Sequence, residues 1–464
     1  MVSLADELPG LLLSWIPQQS WFAGGSDISL IRVAHSVPLL EGEPTLDLVI
    51  VLVEHADAED RDYFQLLLAR RRTPPAELLD AAAGLIGDCV VYDALSDREI
   101  SEWLLRELAK DSSSREGVRF VREANAQVPR VSVSHVLTEN RGETSIAFGE
   151  ELVLKWFREV RPGNAVDLDL HRALRRAGSH HVAALRASIQ ADWEGGVLTL
   201  ALLRDALQNP AECWDLALVS LRDLLAEGDL RASEVGGDFA GEAFRLGAAL
   251  ADVHADLAGE LETGEQSLTS EADAMIARLS AAEHVLPKLA GYGPEIRATY
   301  DRLAGSDMVS PTQRVHGGLT FHNILRVPPG WLFVDFGGDV AKPLIDVARP
   351  TSVLRDVADV MRSFDTVAHS QLLEWSRASR SDAQLEWRAA EWSDRNRSAF
   401  CDGYASVAQR DPREVPAVLL AYELDRAVYD SVNSARSRPE VLQASLDSVQ
   451  RLTSYDEHLR WLRW

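Results

Sequence analysis

Cysteine is scarce in this chain of 464 residues, which contains only Cys89, Cys213 and Cys401. An odd number of cysteines without CxxC spacing builds no disulfide framework, so we expect three reduced thiols in a reducing compartment. Long apolar runs are lacking too, since no segment approaches the roughly 20 residues that span a bilayer. The first residues, MVSLADELPG, carry acids instead of the basic start of a signal peptide. These absences favour a cytoplasmic protein.

Basic residues are in the minority, because 47 Lys and Arg stand against 72 Asp and Glu, and the formal net charge is −25. An acidic surface repels nucleic-acid phosphates and anionic lipid, so neither nucleic acid nor a membrane is an expected partner. It does not repel a neutral or cationic small molecule. The composition, 46% hydrophobic and 26% charged, is typical of a globular protein with a sizeable core.

Repeats and low-complexity tracts are also lacking, and residues 1–110 form a first unit of mixed pattern. A short helix ends near Pro17, and the runs LDLVIVLVEH and YFQLLLARR predict adjacent antiparallel strands. Ser96 and Glu99 fit a capping box at the start of an amphipathic helix. The polar stretch 111–117, DSSSREG, then predicts a linker that closes this unit.

A small β-rich unit follows in residues 111–205, where short strands flank the polar turn TENRGETS. Its helix DLDLHRALRRAG stops at Gly178, and the apolar run VLTLALL predicts a final strand. Residues 206–464 have mostly helical spacing, interrupted at 313–339 by two β runs joined through PPG. A small β-rich lobe followed by a large helical lobe with one such hairpin indicates an α+β, protein-kinase-like two-lobed fold.

The hairpin carries residues whose spacing points to chemistry. His316, Gly317 and Gly318 are followed by Asn323, five positions after Gly318, and by Asp335 in VDFGGD. A kinase catalytic loop has an Asp with a metal-binding Asn five residues later, and a second Asp binds a bridging Mg²⁺. Asn323 and Asp335 supply the oxygen ligands that Mg²⁺ prefers. Each motif alone is weak, but their common register favours a phosphoryl-transfer site for ATP and Mg²⁺.

The loop lacks an acid, because Gly318 stands where a kinase places its catalytic Asp. We expect His316 to orient the loop instead of acting as the base. Asp339 is the nearest downstream acid that could replace the missing carboxylate. The pattern therefore leaves open whether this is a slow kinase, a rearranged site or a nucleotide-binding protein without transfer.

Lys155 lies in the hydrophobic strand ELVLKWF, where a lysine is costly unless it is paired or bound to phosphate. The next helix offers Asp167 and Asp169 as partners, and we prefer Asp169. The alternative is an edge-strand lysine that points to solvent.

The turn ENRGETS is a candidate phosphate-binding loop, although it has no GxGxxG motif. Gly142, Thr144 and Ser145 can offer main-chain and hydroxyl donors to phosphate oxygens. An ordinary hairpin turn explains the same residues.

The segment YELDRAVYDSVNSAR places Glu423, Asp425 and Tyr429 within two helical turns, and Asp430 shares a face with Glu423. It is a candidate substrate site. An exposed helix with salt bridges is the alternative, since charged runs are usually solvated.

Taken in order, the segments of this chain resemble one known family, the actinobacterial glucosamine kinase and maltokinase group of the aminoglycoside-phosphotransferase-like kinases. The segments that carry the resemblance extend over nearly the whole chain: SWFAGG, TSIAFGEELVLKWFREVRPG, DLDLHRALRRAG, ALADVHADLA, QRVHGGLTFHNILR, GWLFVDFGGD, SVLRDVADVMRSFD and AYELDRAVYDSVNSARSRP. The resemblance implies an N-terminal cap domain (1–110), a kinase N-lobe with its hinge strand (111–205) and a helical C-lobe (206–464). ATP would bind between the lobes.

Matching motifs imply a role for each site residue. Lys155 would hold the ATP phosphates and pair with Asp169, and Asn323 and Asp335 would bind Mg²⁺. The adenine hinge would comprise Leu200, Leu202 and Leu203. The acceptor would be a sugar hydroxyl, and the protein a monomer or a small homo-oligomer.

Three departures from the family pattern bear on the acceptor and the rate. Maltokinases typically have Gln at the position of Asn323 and DFEGEP where this chain has DFGGDV, and the family has Asp at the position of Gly318. The first two favour D-glucosamine, phosphorylated to glucosamine 6-phosphate, over maltose, phosphorylated to maltose 1-phosphate. An acidic pocket with Glu423 or Asp425 would suit the protonated amine.

Overall fold

The computed structural model describes residues 4–22, 28–55, 61–131, 133–140, 142–160, 166–193, 196–226, 238–305, 308–337, 348–378, 383–437 and 439–454. The chain forms two compact units. Unit 1 contains Met1–Arg172, Ala183–Gln208 and Val340–Leu344, and unit 2 contains Ala173–Val182, Asn209–Asp339 and Ile345–Trp464. Within the described ranges, no helix has both the length and the apolar character needed to cross a membrane.

The α-helices of the described residues are α1 (Leu4–Trp15), α2 (Arg98–Leu108), α3 (Val166–Ala177), α4 (Cys213–Ala226), α5 (Ala240–Glu260), α6 (Leu268–Val285), α7 (Gly293–Ala304), α8 (Leu354–Ala378), α9 (Ala383–Ala408), α10 (Pro416–Ser437) and α11 (Leu442–Thr453). The strands are β1 (Ile28–Leu40), β2 (Thr45–His55), β3 (Arg61–Arg71), β4 (Ala82–Ile86), β5 (Cys89–Asp93), β6 (Ser112–Arg115), β7 (Val118–Arg122), β8 (Ser134–Asn140), β9 (Glu143–Phe148), β10 (Leu152–Phe157), β11 (Glu159–Val160), β12 (Leu185–Trp193), β13 (Gly196–Asp205), β14 (Ala211–Glu212), β15 (Gly264–Ser267), β16 (Val309–Thr312), β17 (Ile324–Val327) and β18 (Gly330–Phe333).

The first sheet of unit 1 has the order β1-β2-β3-β5-β4, and β11 also pairs with β3. The predicted antiparallel pair is confirmed, because Leu48 of β2 lies opposite Leu67 of β3. Strand β2 is apolar on both faces because both are covered. Val49 belongs to a core cluster with Leu12 of α1, whereas Leu48 belongs to a cluster that includes the second sheet. Alternating side chains of a strand point to opposite faces, so a strand buried on both sides reads as a continuous apolar run.

The second sheet has the order β6-β7-β12-β13-β10-β9-β8. The prediction of a linker at 111–117 is wrong, because these residues include β6, which pairs with β7. Glu116 and Gly117 form the turn between them with φ values of 46° and 88°. Two-residue hairpin turns favour such positive φ values, so a polar edge hairpin replaces the linker. The proposed boundary at residue 110 thus falls inside a unit whose two sheets share one core.

Helix α2 has the predicted apolar face, since Ile100, Trp103 and Leu104 are buried in that core. Its N-cap differs from the prediction. Asp97 caps the helix by accepting a 2.9 Å hydrogen bond from the N–H of Glu99. Ser96 ends a preceding 3₁₀ turn instead, so the capping acceptor lies one residue later than expected.

Unit 2 is mainly helical and contains the three-stranded sheet β14-β17-β18. The predicted hairpin is confirmed, because β17 and β18 pair with Ile324 opposite Phe333. Helices α5 and α9 cross at very short distance. A Cβ atom at Gly247 would overlap the carbonyl of Phe400, and one at Gly403 would overlap the carbonyl of Phe244. Only glycine permits this approach of two backbones.

Candidate active site

The hairpin brings Asn323 and Asp335 to one end of the same small sheet. Beyond the pair formed by Ile324 and Phe333, the carbonyl of Asn323 accepts a 3.0 Å hydrogen bond from the N–H of Val334. Asp335 follows Val334 directly, so both predicted metal ligands flank the open end of the hairpin.

Asp335 has a backbone φ of 61° and is half-buried. Left-handed backbone at a residue other than glycine is strained, and such residues concentrate at functional sites. Asn323 accepts a 2.8 Å hydrogen bond at Oδ1 from the Thr320 hydroxyl, which orients its amide. The same oxygen also accepts a longer hydrogen bond, of 3.3 Å, from the main-chain N–H of Thr320, so a metal ion bound there would replace the weaker of these two contacts.

These two residues fit Mg²⁺, which is usually held by one or two protein side chains together with water and substrate phosphates. In the part of the chain that the structure describes, no group of three or more His, Cys, Asp or Glu residues could hold a metal ion. Water and phosphate oxygens of the substrate would complete such a site.

The loop before Asn323 is held by Asp356, a residue that the sequence analysis did not single out. Its fully buried carboxylate accepts hydrogen bonds from the main-chain N–H groups of His316 (2.7 Å) and Gly317 (2.9 Å). It also lies 3.1 Å from Nε2 of His254, whose Nδ1 lies 3.0 Å from the hydroxyl of Tyr404. Burial, the largest single cause, raises the pKa of Asp356, but His254, His316 and the N–H of Gly317 together outweigh it, so the pKa is lowered.

His316 joins this loop to the strand that leads to Asp335. Its Nε2 donates a 2.8 Å hydrogen bond to the carbonyl of Val334, and its own carbonyl accepts one of 2.9 Å from Gly337. The residue is 1% exposed, so Nδ1, the nitrogen left to accept a proton, is buried away from solvent as well. This placement supports an orienting role and disfavours His316 as the base.

Gly318 is buried in the bend between these contacts, next to Gly317 with its φ of 85°. Asp339, the predicted replacement for the missing acid, lies outside the described residues. The origin of a catalytic base thus stays a prediction.

Lys155 is 3% exposed in β10, and its Nζ lies 2.7 Å from Oε2 of Glu143 in the neighbouring strand. Strand β10 lies between β9 and β13, so the alternative of an edge-strand lysine is wrong. Of the two helical acids proposed as its partner, Asp167 is buried and Asp169 is exposed. Burial therefore favours Asp167 over our choice of Asp169, and a pairing of Lys155 with either stays a prediction.

Ser145 and Leu202 lie directly opposite Lys155 on the two neighbouring strands. Opposite residues of adjacent strands point to the same face, so the three side chains share one surface. Leu202 packs there against Leu168 of α3. This placement is compatible with the predicted nucleotide roles of Ser145 and Leu202.

Thr144 points to the other face. It is fully buried, and its hydroxyl accepts a 2.9 Å hydrogen bond from Nε of Arg158. This placement disfavours the predicted contact between Thr144 and phosphate.

The predicted hinge residues lie inside β13, which pairs with β10 on one side and β12 on the other. Leu200 and Leu203 are buried in the core that the two sheets share. A hinge needs free main-chain groups to bind adenine, and strand pairing occupies them here. The placement therefore disfavours Leu200, Leu202 and Leu203 as main-chain hinge residues, although the side chain of Leu202 still shares the face of Lys155.

The predicted substrate residues on α10 are not brought together. Both oxygens of Glu423 are bound by Arg397 of α9, at 2.9 and 3.0 Å. Asp425 is bound in the same way by Arg278 of α6, at 3.0 Å for each oxygen. The guanidinium of Arg426 lies over the ring of Tyr429, 5.5 Å from the ring centre.

Both carboxylates are buried, so the alternative of an exposed salt-bridged helix is also wrong. Burial raises the pKa of Glu423 to about 7, although Arg397 acts in the opposite direction. The arginines already balance these acids, which disfavours the shared pocket for a protonated amine that we expected.

Residues 15–97 match the family described as the maltokinase N-terminal cap domain. A solved structure of glucosamine kinase in complex with glucosamine, ADP and inorganic phosphate is similar, with 20% sequence identity and a TM-score of 0.67 over 97% of this chain and 99% of that chain. Another glucosamine kinase structure, crystal form B, has 21% identity and a TM-score of 0.68 over 96% and 97%. The predicted kinase-like fold with an N-terminal cap domain is confirmed, and so is the resemblance to the maltokinase and glucosamine kinase group.

Proposed function

We propose that this chain, which combines a maltokinase-type cap domain with the fold of glucosamine kinase, is an ATP-dependent sugar kinase. The observation that carries the proposal is the end of the β17–β18 hairpin. Asn323 and the strained Asp335, whose side chains carry oxygen donors, both flank this end, beside a loop that the buried Asp356 holds by its main chain.

In this proposal Lys155 binds phosphate oxygens of ATP, and Asn323 and Asp335 hold Mg²⁺. When bound, the metal ion would neutralise charge on the transferred phosphoryl group. The contribution of the protein is to position the side chains that bind the metal ion. The left-handed backbone of Asp335 directs its carboxylate, and the hydrogen bond from Thr320 orients the amide of Asn323. Ser145 and Leu202 share the face of Lys155, so we assign them nucleotide contacts as well.

We place the main-chain contacts to adenine after Asp205, where β13 ends and its ladder pairing stops. As sequence domains we propose the cap at 1–110, the N-lobe at 111–205 and the C-lobe at 206–464. The protein would act in the cytoplasm as a monomer or a small homo-oligomer.

D-glucosamine is our first choice of acceptor, with transfer to its 6-hydroxyl and maltose as the alternative. Support comes from the bound glucosamine in the similar solved structure and from the net charge of −25, which attracts a protonated amine. Glu423 and Asp425 give weaker support, since arginines already hold both carboxylates.

A second candidate function is nucleotide binding without transfer, which Gly318 favours. The described loop offers no carboxylate at this position, and His316 already donates its Nε2 proton to a buried carbonyl. The loose transition state of phosphoryl transfer demands little of a base, so we rank slow catalysis first.

The test is ADP release by the wild-type protein with Mg²⁺ and a panel of glucosamine, glucose, maltose and aminoglycosides. We expect release that depends on one sugar, and its loss in Lys155→Met, which keeps the buried chain length but removes the charge. Thermal stabilisation by ATP without any acceptor-dependent release would support the second candidate. A protein that shows no thermal stabilisation by ATP and no acceptor-dependent ADP release would contradict both candidate functions.

A further inference from the structure

Arg158 lies at the centre of a buried polar cluster in unit 1, just after the strand that carries Lys155. It is 0% exposed. Its guanidinium donates to the carboxylate of Asp93 and, at 2.9 Å, to the hydroxyl of Thr144, and it lies 4.8 Å from the ring centre of Trp21. Asp93 and Trp21 belong to the residues that match the cap domain.

The same cluster holds the turn that precedes β9. Gly142 donates a 2.8 Å hydrogen bond from its N–H to the carbonyl of Trp21 and accepts one of 2.7 Å from the N–H of Arg158. Glycine suits this position because its φ is 79°. The next residue is Glu143, whose carboxylate lies 2.7 Å from Nζ of Lys155. The cap is thereby connected to the ammonium group of Lys155 through two consecutive residues.

Gln65 of β3 fixes the other side of Arg158. Its N–H donates a 2.7 Å hydrogen bond to the carbonyl of Arg158. Its fully buried side chain donates to the carbonyl of Phe157 and, at 2.7 Å, to that of Leu200. The end of the lysine strand is thus held by main-chain contacts to the cap as well as by its neighbours in the sheet.

A partly buried group of ion pairs in the first sheet makes contacts in a different region. Arg71 of β3 contacts Asp97, the N-cap of α2, and the hydroxyl of Tyr92. Among the described residues, the side chain of Arg71 bonds to Tyr92, Asp97 and Glu99, and not to the turn at Gly142 or to β10. A cluster that only joined sheets would need no more than this. The main-chain N–H of Arg158 binds Gly142 in the turn, and its side chain reaches Thr144 two residues later.

We propose that Arg158 is a positioning residue for nucleotide binding. Together with Trp21, Gln65 and Asp93 it fixes the turn at Gly142 and Glu143, and so presents the ammonium group of Lys155 to phosphate. This inference rests on the proposed function, because it assumes that Lys155 binds the phosphates of ATP.

The test compares Arg158→Met and Gln65→Met with the control Arg71→Met, which removes a cap ion pair but leaves the turn intact. The dissociation constant of ATP with Mg²⁺ is measured by calorimetric titration, and the melting temperature without ligand is measured alongside. We expect the constant to rise about tenfold or more in the first two variants and to change less than about twofold in the control. Each variant loses hydrogen bonds, but only the first two lose side-chain bonds next to the turn, at Thr144 and at Phe157. Arg158→Lys should recover part of the affinity, and the KM for the sugar should stay unchanged.

Wild-type affinity in a folded Arg158→Met or Gln65→Met protein would overturn the inference. An equal loss of ATP affinity in Arg71→Met would also overturn the inference, because the effect would then come from a general loss of stability in the cap. Gln65→Met is uncharged and of similar size, so it decides the matter if Arg158→Met does not fold. A wild-type protein that fails to bind ATP would instead contradict the proposed function itself.

Discussion

The carboxylate of Asp356 lies 2.7 Å from the main-chain nitrogen of His316. It also accepts from Gly317 and faces His254, so one buried anion serves three donors. Asp356→Asn would leave donors without an acceptor, and we expect a loss of about 3 kcal/mol in the free energy of unfolding, as for a broken buried charge pair. Turnover should fall further than stability alone predicts, because the loop that leads to Asn323 loses its anchor.

Urea unfolding and ADP release measure the two effects separately. Asp301→Asn, at an exposed position of α7, is the control and should change neither. A folded Asp356→Asn protein with wild-type turnover would show that the anchor is dispensable.

Asp335→Asn tests the metal site while keeping a residue type that tolerates left-handed backbone. The carboxylate charge is lost but the strain is not relieved, so folding should be nearly unchanged. We expect the Mg²⁺ concentration needed for half-maximal turnover to rise and the maximal rate to fall by about 100-fold or more, since metal charge stabilisation supplies several kcal/mol. Magnesium titrations of both proteins at saturating ATP give the comparison. Superimposable titrations would remove Asp335 from the metal site.

The hairpin and the buried lysine strand were predictable because their signals are local. A turn such as PPG between two β runs, and an apolar strand with one lysine, each lie within a short window. Asp356 was not predictable in this way. Its partner His254 lies 102 positions away, and nothing in the spacing of α8 distinguishes Asp356 from a solvated acid.

Glu423 and Asp425 are close in sequence, and this closeness led to the wrong prediction that they share a pocket. Residues two apart on a helix are separated by roughly 200° around its axis, so they face different neighbours. Arg397 and Arg278 are those neighbours. The contacts of Arg158 had no local signal, because its partners Gln65 and Asp93 lie in the first sheet and Trp21 lies in the turn that follows α1.

Gly247→Ala tests the close crossing of α5 and α9. The new methyl group would overlap the carbonyl of Phe400, and backbone cannot move aside as a side chain can. We expect a loss of about 3 kcal/mol, at the upper end of overpacking effects. Gly259→Ala is the matched control on the same helix, since it meets no atom within 4 Å and should stabilise the helix by about 0.5–1 kcal/mol. The free energy of unfolding of both variants is measured with urea. A change in the same direction for Gly247→Ala and Gly259→Ala would contradict the close crossing.

Glu423 should make stability depend on pH. Burial raises its pKa to about 7 in the folded protein, against roughly 4.3 in an unfolded chain. Between these values the folded state holds a proton that the unfolded state has released, so the free energy of unfolding falls as pH rises. The contribution is fully present below about pH 4 and lost by about pH 7 to 8, with a total on the order of 3 kcal/mol.

Glu423→Gln cannot titrate, so its stability should decline less over this range. Urea unfolding at several values from about pH 5 to about pH 8 gives the two profiles. Glu414→Gln, at an exposed position, should follow the wild type. Parallel profiles for Glu423→Gln and the wild type would contradict a raised pKa.

Gly318→Asp addresses the missing acid. If the wild-type site lacks a base, the new carboxylate should raise turnover with the preferred sugar by about 10²- to 10⁴-fold, the usual contribution of a positioned base. Gly318→Asn is the matched control, because it has nearly the same size but cannot accept the proton, and we expect it to give no gain. Both variants place a side chain in a buried bend, so their melting temperatures are measured with the rates. A loss of activity in Gly318→Asp with folding intact would mean that the glycine belongs to a rearranged site, in which another group takes the proton of the sugar.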